Sequence, residues 1–309
     1  FKRNSPLRKS LTAPPGSKVI VRDLSNIEGR VNAWFNVQED KCEKFAAGID
    51  LYNDLGNTIF GYPIERKKKA QDKQGNYLDA DGNIVDNPDD AHLPFWTEGF
   101  TSKQAELGLG YGMGAPKFRT QCAIQGDILF DPAFCQKTVN VWRQKNYKIV
   151  GGWRYGEKVI FDMASKGGHV NYNWRCLKVQ KGRLVLPNGL ALTYPDLHLT
   201  EEDGRRQFVY WNGLFYKNLY GGLLMENIIQ ALSRIIMSDM ILEIEHIIAP
   251  FGGRVVLTVH DEIVAIAPDQ YAEKVYAIMG EVMSTPPEWA NDGLLALASE
   301  GGIAQNYSK

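Results

Sequence analysis

Two aspartates stand at the ends of short apolar segments and could together hold metal ions. Asp23 closes the β-rich run Ser17–Leu24. Asp261 lies in the turn between the apolar runs Arg254–Val259 and Ile263–Ala267, a pattern typical of a β-hairpin. Carboxylates at the ends of neighbouring strands can converge above a sheet and hold a pair of Mg²⁺ ions ~3.5–4 Å apart, which activate an attacking oxygen and stabilise a leaving one. The alternative, that both are ordinary turn aspartates favoured for local hydrogen bonding, stays open at this point.

The elements that must position these aspartates are predicted from hydrophobic periodicity. A helix over Asn26–Trp34, with Ser25 as its N-cap, follows the first strand. The pattern from Trp96 to about Trp174 is mostly helical with interleaved aromatics. Leu219–Ile248 carries two adjacent apolar rows, which predict a well-buried helix.

Two tight hairpins are predicted from their turn residues. Asn188-Gly189 lies within Val185–Tyr194, and Asp81-Gly82 lies within the polar, acidic insertion Ala70–Asp90. A calcium site is the alternative for the acidic insertion, but the spacing of its aspartates fails the EF-hand template and lacks the terminal Glu. A solvated hairpin is therefore favoured over calcium binding by Asp79, Asp81 and Asp86.

Composition and charge are those of a soluble globular protein with one large domain or two modest ones. The chain has 309 residues, of which 44% are hydrophobic and 23% charged. No apolar run approaches the ~20 residues that span a bilayer, and no secretory leader opens the chain. The net charge is −1, but Phe1–Lys18 and Lys137–Arg183 are basic, which suits a phosphate-backbone partner beside an acidic centre. The four cysteines form no CxxC pair, which favours reduced thiols in a cytoplasm over zinc or disulfides.

Four ordered motifs resemble those of family A DNA polymerases. DLSNIEGR at Asp23–Arg30 resembles motif A, KQAELGLGYG at Lys103–Gly112 resembles motif B, and VHDE at Val259–Glu262 resembles motif C. ENIIQA at Glu226–Ala231 adds a match typical of bacteriophage-type members. The resemblance covers nearly the whole chain, and the ordered combination is specific where any single motif is not.

The resemblance implies a metal site and a sugar-selecting residue. Asp23 and Asp261 would be the metal ligands, assisted by the backbone carbonyl of Leu24, and Glu262 would be an auxiliary acid near the metals. Glu28 matches the family's steric gate, which blocks a ribose 2′-OH; a buried carboxylate there leaves no room for the extra hydroxyl. The implied cofactor is two Mg²⁺ ions, with Mn²⁺ as a substitute.

The resemblance also implies contacts to the incoming nucleotide. Lys103, Leu107 and Tyr111 fall at i, i+4 and i+8, on one predicted helix face. Lys103 would contact the triphosphate and protonate the departing pyrophosphate. Tyr111 would close the nucleotide pocket near Glu28.

Contacts to the DNA are implied for three further residues. Gln230 matches a glutamine that reads minor-groove acceptors, which are shared by all correct base pairs. His260 would lie close to the primer terminus, and Arg30 would support the site from the motif A helix.

The chain departs from the family pattern in three places. Gly99 stands where the family usually has an arginine that contacts the triphosphate, and Leu107 stands where an aromatic is common. Only about twenty residues precede Asp23, where family members place a thumb and usually an exonuclease. We therefore expect a C-terminal palm and fingers portion with thumb and exonuclease absent. We therefore also expect this chain alone to bind primer–template weakly. The thumb would lie on a separate chain or in a missing N-terminal region.

The implied fold class is α/β (α+β), with an antiparallel palm sheet and a helical fingers subdomain. The expected divisions are palm over 1–35 and 206–309 and fingers over 36–205, including the insertion 70–90. The implied activity is DNA-templated DNA polymerisation, which adds dNTPs to a primer–template. No membrane partner is expected. The expected location is the cytoplasm, which would be the host cytoplasm if a phage encodes the chain.

Two alternatives to this activity stay open. One is a single-subunit RNA polymerase relative, which Glu28 and the HDE form of motif C disfavour. The other is a non-catalytic or partner-dependent DNA-binding subunit of a split polymerase, which Gly99 and the missing thumb favour and which Asp23, Asp261 and Lys103 oppose. A reverse transcriptase is disfavoured because YxDD is absent.

Overall fold

The computed structural model describes residues 6–165, 170–202 and 204–307. Within these ranges the α-helices are α1 Pro6–Lys9, α2 Ile27–Phe35, α3 Glu39–Ala46, α4 Leu51–Phe60, α5 Trp96–Gly108, α6 Ala115–Gly126, α7 Pro132–Lys145, α8 Tyr147–Ala164, α9 Gly221–Ile248 and α10 Ala272–Val282. The strands are β1 Ser17–Leu24, β2 Asn171–Trp174, β3 Leu177–Gln180, β4 Arg183–Val185, β5 Ala191–Thr193, β6 His198–Glu202, β7 Arg205–Trp211, β8 Tyr216–Leu219, β9 Arg254–Val259, β10 Glu262–Pro268 and β11 Ser299–Ala304. The fold class is thus mixed helix and antiparallel sheet, as predicted.

Two compact units make up the chain. Unit 1 consists of Phe1–Ala46, Val159–Asn218 and Asn227–Lys309, and unit 2 of Ala47–Lys158 and Leu219–Glu226. The division falls within α8 and α9. The expected palm and fingers boundaries near residues 36 and 205 stay a prediction, because compactness by itself does not assign either role.

A four-stranded antiparallel sheet in the order β11-β1-β10-β9 brings both ends of unit 1 together. In the β1–β10 register, Val21 lies opposite Val264 and Asp23 lies opposite Glu262. Val19, Val21 and Val264 pack on one face with Tyr307, and Ile20 is buried as well. The two central strands, β1 and β10, have buried apolar residues on both faces, whereas the edge strands β9 and β11 are largely exposed.

Arg22 fixes α10 against the sheet. Its Nε donates to the carbonyl of Tyr276 at 3.0 Å, and its guanidinium lies 3.9 Å from the centroid of the Tyr276 ring. A Cβ on Gly280 would lie 2.6 Å from the Arg22 guanidinium carbon, so a larger residue at position 280 would displace the Arg22 side chain. Arg22, the residue that precedes Asp23, therefore holds β1 against α10.

The predicted helix over Leu219–Ile248 is confirmed as α9. Leu224, Ile228 and Ile235 of one predicted row are buried, as are Met225, Ile229, Leu232, Ile236 and Met240 of the other. The helix ends before Pro250, and Gly252 has a φ of 71°, which suits the end of a helix.

Two small antiparallel sheets, β2-β3-β4-β5 and β6-β7-β8, complete unit 1. The hairpin at Asn188-Gly189 is confirmed, with Gly189 at a φ of 84°. The prediction of mostly helical structure as far as Trp174 is wrong at its end, because α8 stops at Ala164 and Asn171–Trp174 pairs with β3. A reversal through Arg175, at a φ of 55°, allows this pairing.

Helices α4 to α8 form the core of unit 2. Its buried centre includes Ile59, Leu109, Phe118 and Trp142, and the Trp142 and Trp153 rings stack with centroids 5.9 Å apart. All four cysteines are free thiols, and burial raises the pKa of Cys122 to about 12. Among the described residues, no helix is both long enough and apolar enough to cross a membrane.

The acidic insertion contains two consecutive turns with the same hydrogen bonds. Asp72 Oδ1 accepts from the backbone N–H of Gln74 and Asn76. Seven residues on, Asp79 Oδ1 accepts from the backbone N–H of Asp81 and Asn83. The bridge between Leu78 and Ile84 confirms the hairpin predicted at Asp81-Gly82.

Candidate active site

Antiparallel pairing of β1 with β10 brings Asp23 and Asp261 to the same end of two adjacent strands. Asp23 lies directly opposite Glu262, and the backbone N–H of Leu24 donates to the carbonyl of Asp261 at 3.0 Å. Both aspartates are half-buried. Neighbouring positions at a sheet end are what the two-carboxylate hypothesis requires.

The donor set at this sheet end fits a hard divalent cation. Asp23 and Asp261 offer carboxylate oxygens, and Mg²⁺ binds through one or two carboxylates plus waters and substrate phosphates. In the described part of the chain, no three His, Cys, Asp or Glu side chains are grouped to hold a metal ion. A cation at Asp23 and Asp261 would thus take its remaining oxygens from a backbone carbonyl, substrate and water.

Glu262 is held by a buried ion pair beside Asp23. Its side chain is on the same sheet face as that of Asp23, because directly opposed residues of antiparallel strands share a face, ~5 Å apart at Cβ. Glu262 is 5% exposed, and its Oε1 accepts from Arg8 Nη2 at 2.7 Å and from the Tyr307 hydroxyl. Like charges opposite each other are unfavourable, so the Arg8 cation stabilises this arrangement.

His260 occupies the first position of the two-residue turn between β9 and β10. Its φ is 55°, and its side chain is exposed. Tight hairpin turns need a positive φ at this position because that twist matches the strands. The turn therefore presents His260 outward beside Asp261.

The motif A helix begins at an unusual backbone conformation. Asn26, with a φ of 53°, is the N-cap of α2, so the prediction of Ser25 as cap is wrong by one residue. Asn26 makes no side-chain capping hydrogen bond. Glu28 lies in the first turn of α2 and is half-buried.

Arg30 points into unit 1, where it is 8% exposed. It donates to the carbonyls of Ser25 at 2.7 Å and Ala296 at 2.6 Å, and its guanidinium lies 4.6 Å from the centroid of the Phe45 ring. Burial lowers the pKa of Arg30. These contacts fix the segment that joins Asp23 to α2.

The motif B residues belong to two different local structures in unit 2. Lys103 and Leu107 are exposed on α5, with Leu107 at 45%. The prediction that Tyr111 continues the same helix face is wrong, because α5 ends at Gly108 and Tyr111 closes a 3₁₀ turn, Leu109–Tyr111. Gly112, at a φ of 87°, then reverses the chain.

The start of α9 packs closely on this turn. A Cβ on Gly222 would overlap the carbonyl oxygen of Tyr111, and one on Gly221 would overlap that of Trp153. The backbone N–H of Gly221 donates to Glu157 at 2.7 Å. The glycine pair therefore allows α9 to approach the end of motif B.

Local packing accounts for the glycine at position 99. A Cβ at Gly99 would lie 2.5 Å from the Cβ of Arg66. Arg66 itself is paired with Asp50 at 2.9 Å and lies 4.6 Å from the centroid of the Tyr52 ring. An arginine at position 99 would require residue 66 to move, which explains this departure from the family pattern.

Gln230 is exposed on α9, next to buried Ile229. The structure thus places Asp23, Asp261, Glu262 and His260 at one end of the sheet and presents Gln230 on the surface of unit 1. Arg8 and Tyr307 were missed by the sequence analysis. The basic character of Phe1–Lys18 was the signal for Arg8, whereas nothing in the sequence pointed to Tyr307.

Comparisons with known proteins agree with the fold and the motifs. No family model matches the chain. A DNA polymerase of Bacillus phage SP02 is 27% identical over 98% of this chain and 43% of its own length. DNA polymerase I B of Arabidopsis thaliana chloroplasts and mitochondria is 22% identical over 97% of this chain and 26% of its own length. The chain thus spans less than half the length of these curated relatives.

A solved structure has the same fold. The polymerase domain of Pol1 from M. smegmatis, in complex with DNA primer-template and dNTP, superimposes with a TM-score of 0.66. It covers 99% of this chain and 43% of that one, at 16% identity. The resemblance to family A DNA polymerases is therefore confirmed, in sequence by the DNA polymerases to which the chain is related and in fold by this polymerase domain.

Proposed function

We propose that the chain is the catalytic core of a DNA-templated DNA polymerase, which adds dNTPs to a primer 3′-OH. The observation that carries the proposal is the β1–β10 register, which sets Asp23 and Asp261 side by side at one end of the sheet. The phage relative and the Pol1 domain support the same activity. In this proposal residues 1–35 and 206–309 act as palm and 36–205 as fingers, in the cytoplasm of the cell that makes the protein.

Asp23 and Asp261, with the Leu24 carbonyl, would hold two Mg²⁺ ions. When bound, such ions supply charge stabilisation for the attacking and leaving oxygens. Glu262, fixed by Arg8 and Tyr307, would be the auxiliary acid at the same sheet end. Arg30 fixes the backbone after Asp23 and so positions that aspartate.

The remaining roles in this proposal are contacts to the nucleotide and the DNA. Glu28 excludes the ribose 2′-OH, Lys103 binds the triphosphate and gives a proton to the pyrophosphate, and Leu107 and Tyr111 line the nucleotide site. Gln230 and His260 contact the primer–template. The exposed positions of Lys103 and Gln230 are compatible with these roles, because ligand-binding side chains must be reachable.

Primer extension with Mg²⁺ and dNTPs at low salt tests the proposal. Asp261→Ala should abolish extension, whereas Asp269→Ala, an exposed aspartate just beyond the opposite end of β10, should leave it intact. Mn²⁺ binding followed by electron paramagnetic resonance gives a readout separate from activity and should also be lost in Asp261→Ala. Equal extension by wild type and Asp261→Ala would rule out the two-aspartate site.

Sugar selection is tested with Glu28→Ala. Removing the carboxylate should admit ribonucleotides, because the space for a 2′-OH is then open. The ratio of dNTP to rNTP incorporation should fall by at least about tenfold, the effect of roughly 1.4 kcal/mol in discrimination. A preference of the wild type for rNTPs would instead favour the RNA polymerase alternative.

A further inference from the structure

Arg66 covers the outer face of α5 one helical turn before Lys103. Trp96, Lys103 and Leu107 are exposed on this helix, whereas Gly99 between them is buried. A Cβ on Gly99 would lie 2.5 Å from the Cβ of Arg66 and 3.7 Å from its Cγ, so the Arg66 stem fills the space of a side chain at position 99. Residues four apart on a helix have Cβ atoms ~5–6 Å apart, so the Arg66 side chain starts about one turn from Lys103.

Helix α4 holds the backbone of Arg66 in place. The Asn57 Oδ1 accepts from the backbone N–H of Ile64 at 2.6 Å, and the Asn53 Oδ1 accepts from the backbone N–H of Arg66 at 3.1 Å. Ile64 itself is buried. A side chain on an anchored backbone loses little freedom when it binds a ligand, so Arg66 is pre-organised.

The guanidinium of Arg66 is oriented by contacts that leave one of its edges for a ligand. Its Nε donates to Asp50 Oδ2 at 2.9 Å and to Oδ1 at 3.3 Å, and its Cζ lies 4.6 Å from the centroid of the Tyr52 ring. Within the described part of the chain these guanidinium hydrogen bonds use Nε alone, so the edge with Nη1 and Nη2 keeps its donors. Two parallel N–H groups of this kind match two oxygens of a phosphate.

The charge of this segment is positive and is reachable from solvent. Arg66 opens a run of four consecutive cations that ends at Lys69. The Arg66 side chain is 21% exposed. The Asp50 carboxylate also accepts two backbone N–H groups at the start of α4, so it is shared between the helix and Arg66. A concentration of cations beside Lys103 attracts a polyphosphate.

We propose that Arg66 binds the triphosphate of the incoming dNTP together with Lys103. Arg66 donates through its Nη1 and Nη2 groups, and Lys103 contributes a point charge. The guanidinium thus reaches the nucleotide from the connection between α4 and α5, because position 99 on α5 has no room for a side chain. The proposal rests on the proposed polymerase function for the identity of the nucleotide, but not on nucleotidyl transfer.

Isothermal titration calorimetry with dATP and with inorganic triphosphate, in EDTA and without DNA, tests the role of Arg66. Arg66→Gln should weaken binding of both probes by about tenfold, the order expected for a hydrogen bond between charged groups. Lys68→Gln is the matched control, since it removes the same charge from an exposed side chain two residues away and should bind as wild type does. Equal affinities of wild type and Arg66→Gln would overturn the proposal. An equal loss in both variants, or no measurable binding of triphosphate by wild type, would overturn it as well.

Moving the arginine tests the geometry. Gly99→Arg combined with Arg66→Gly frees the space of the Arg66 stem and starts a guanidinium side chain from nearly the same point. This double variant should bind inorganic triphosphate at least about threefold more tightly than Arg66→Gly alone, because a charged hydrogen bond is regained. Circular dichroism confirms that both variants are folded. A folded double variant with no gain over Arg66→Gly would overturn the assignment.

Steady-state primer extension separates substrate binding from chemistry. Arg66→Gln should raise the KM for dNTP by about tenfold and leave kcat unchanged, since loss of ground-state binding acts on KM. An unchanged KM would contradict the proposal. Because the calorimetric assays contain neither DNA nor metal, a failure of primer extension with retained, Arg66-dependent triphosphate binding would count against the proposed function alone.

Discussion

At the scale of single residues, a buried charge organises the end of the sheet. Glu262 lies inside unit 1 with Arg8 and Tyr307, which come from opposite ends of the chain. Removing one partner of a buried pair leaves the other charge unsatisfied, which costs more than the pair itself contributes. The triad therefore couples the two chain ends to the turn that carries Asp261.

Arg8→Met should destabilise the protein strongly because it leaves the Glu262 carboxylate buried without its cation. We expect a loss of about 3–5 kcal/mol in the free energy of unfolding, and about 1–2 kcal/mol for Tyr307→Phe, which removes the hydroxyl that accepts from Arg8 and donates to Glu262. Urea denaturation measures both values. Lys9→Ala, at an exposed neighbour, is the control, and an Arg8→Met variant no less stable than this control would contradict the expectation.

At the scale of elements, close backbone approach decides where motif B ends. Gly221 and Gly222 let the start of α9 contact α8 and the Tyr111 turn, where any side chain would overlap backbone. The backbone has little freedom to move away, because the N–H of Gly221 is bonded to Glu157. The position of Tyr111 thus depends on an element more than a hundred residues further along the chain.

Gly221→Ala should destabilise unit 2 by about 1–3 kcal/mol, the cost of overpacking. Gly151→Ala is the matched control, since Gly151 lies in α8 with nothing within 4 Å of an added Cβ. It should be neutral or stabilising by up to about 1 kcal/mol, because alanine is the better helix former. Thermal unfolding compares the two, and equal midpoints would show that the packing at Gly221 can relax.

The acidic insertion behaves as a pair of independent turns. Backbone and side-chain hydrogen bonds from Asn83 hold the pKa of Asp79 below its ordinary value, and side-chain and backbone bonds from Asn76 do the same for Asp72. Folding depresses these pKa values, so the turns are favoured above the ordinary pKa of 3.8 and lose that contribution as the pH falls through the folded-state pKa.

Asn83→Ala should raise the pKa of Asp79 toward 3.8 and leave that of Asp72 unchanged. Asn76→Ala should do the reverse. Carboxyl titration by NMR measures both, each variant serving as the control for the other. A common shift of both aspartates would show that the insertion acts as one unit.

At the scale of the whole molecule, charge distribution matters more than net charge. The chain has a net charge of −1, yet the segment from Lys137 to Lys158 is strongly basic. Binding to DNA through such a segment releases counterions, so affinity falls as salt rises. The acidic insertion, in the same unit, is set apart in sequence from these cations.

Replacing Lys148 by glutamine should reduce the slope of log affinity against log salt by about 0.9, the contribution of one phosphate contact. Lys68→Gln removes an exposed lysine of the same unit and should leave the slope unchanged. Anisotropy titrations from about 50 to about 200 mM salt measure the slope. If both variants have the same slope of log affinity against log salt, the charge of Lys148 acts on DNA only at long range and not through a phosphate contact.

The sequence by itself determined the local elements and the identity of the motifs. Short apolar, β-rich runs predicted β1, β9 and β10, and helical periodicity predicted α9, because burial of a helix face leaves a regular pattern. Turn residues predicted the hairpins at Asp81-Gly82 and Asn188-Gly189, because positive φ selects a few residue types. The motifs indicated the polymerase resemblance that the relatives then confirmed.

The tertiary structure alone decided which distant residues meet. Residues far apart in the chain meet where Asp23 pairs with Glu262 and where Arg8 and Tyr307 are buried around that glutamate. Gly99 and Arg66 likewise approach too closely to leave room for a side chain at position 99. The tertiary structure also decided that α5 ends at Gly108, three residues before Tyr111, the last residue of the predicted motif B helix face. Such contacts depend on packing between elements, and packing leaves no period in the sequence from which they could be predicted.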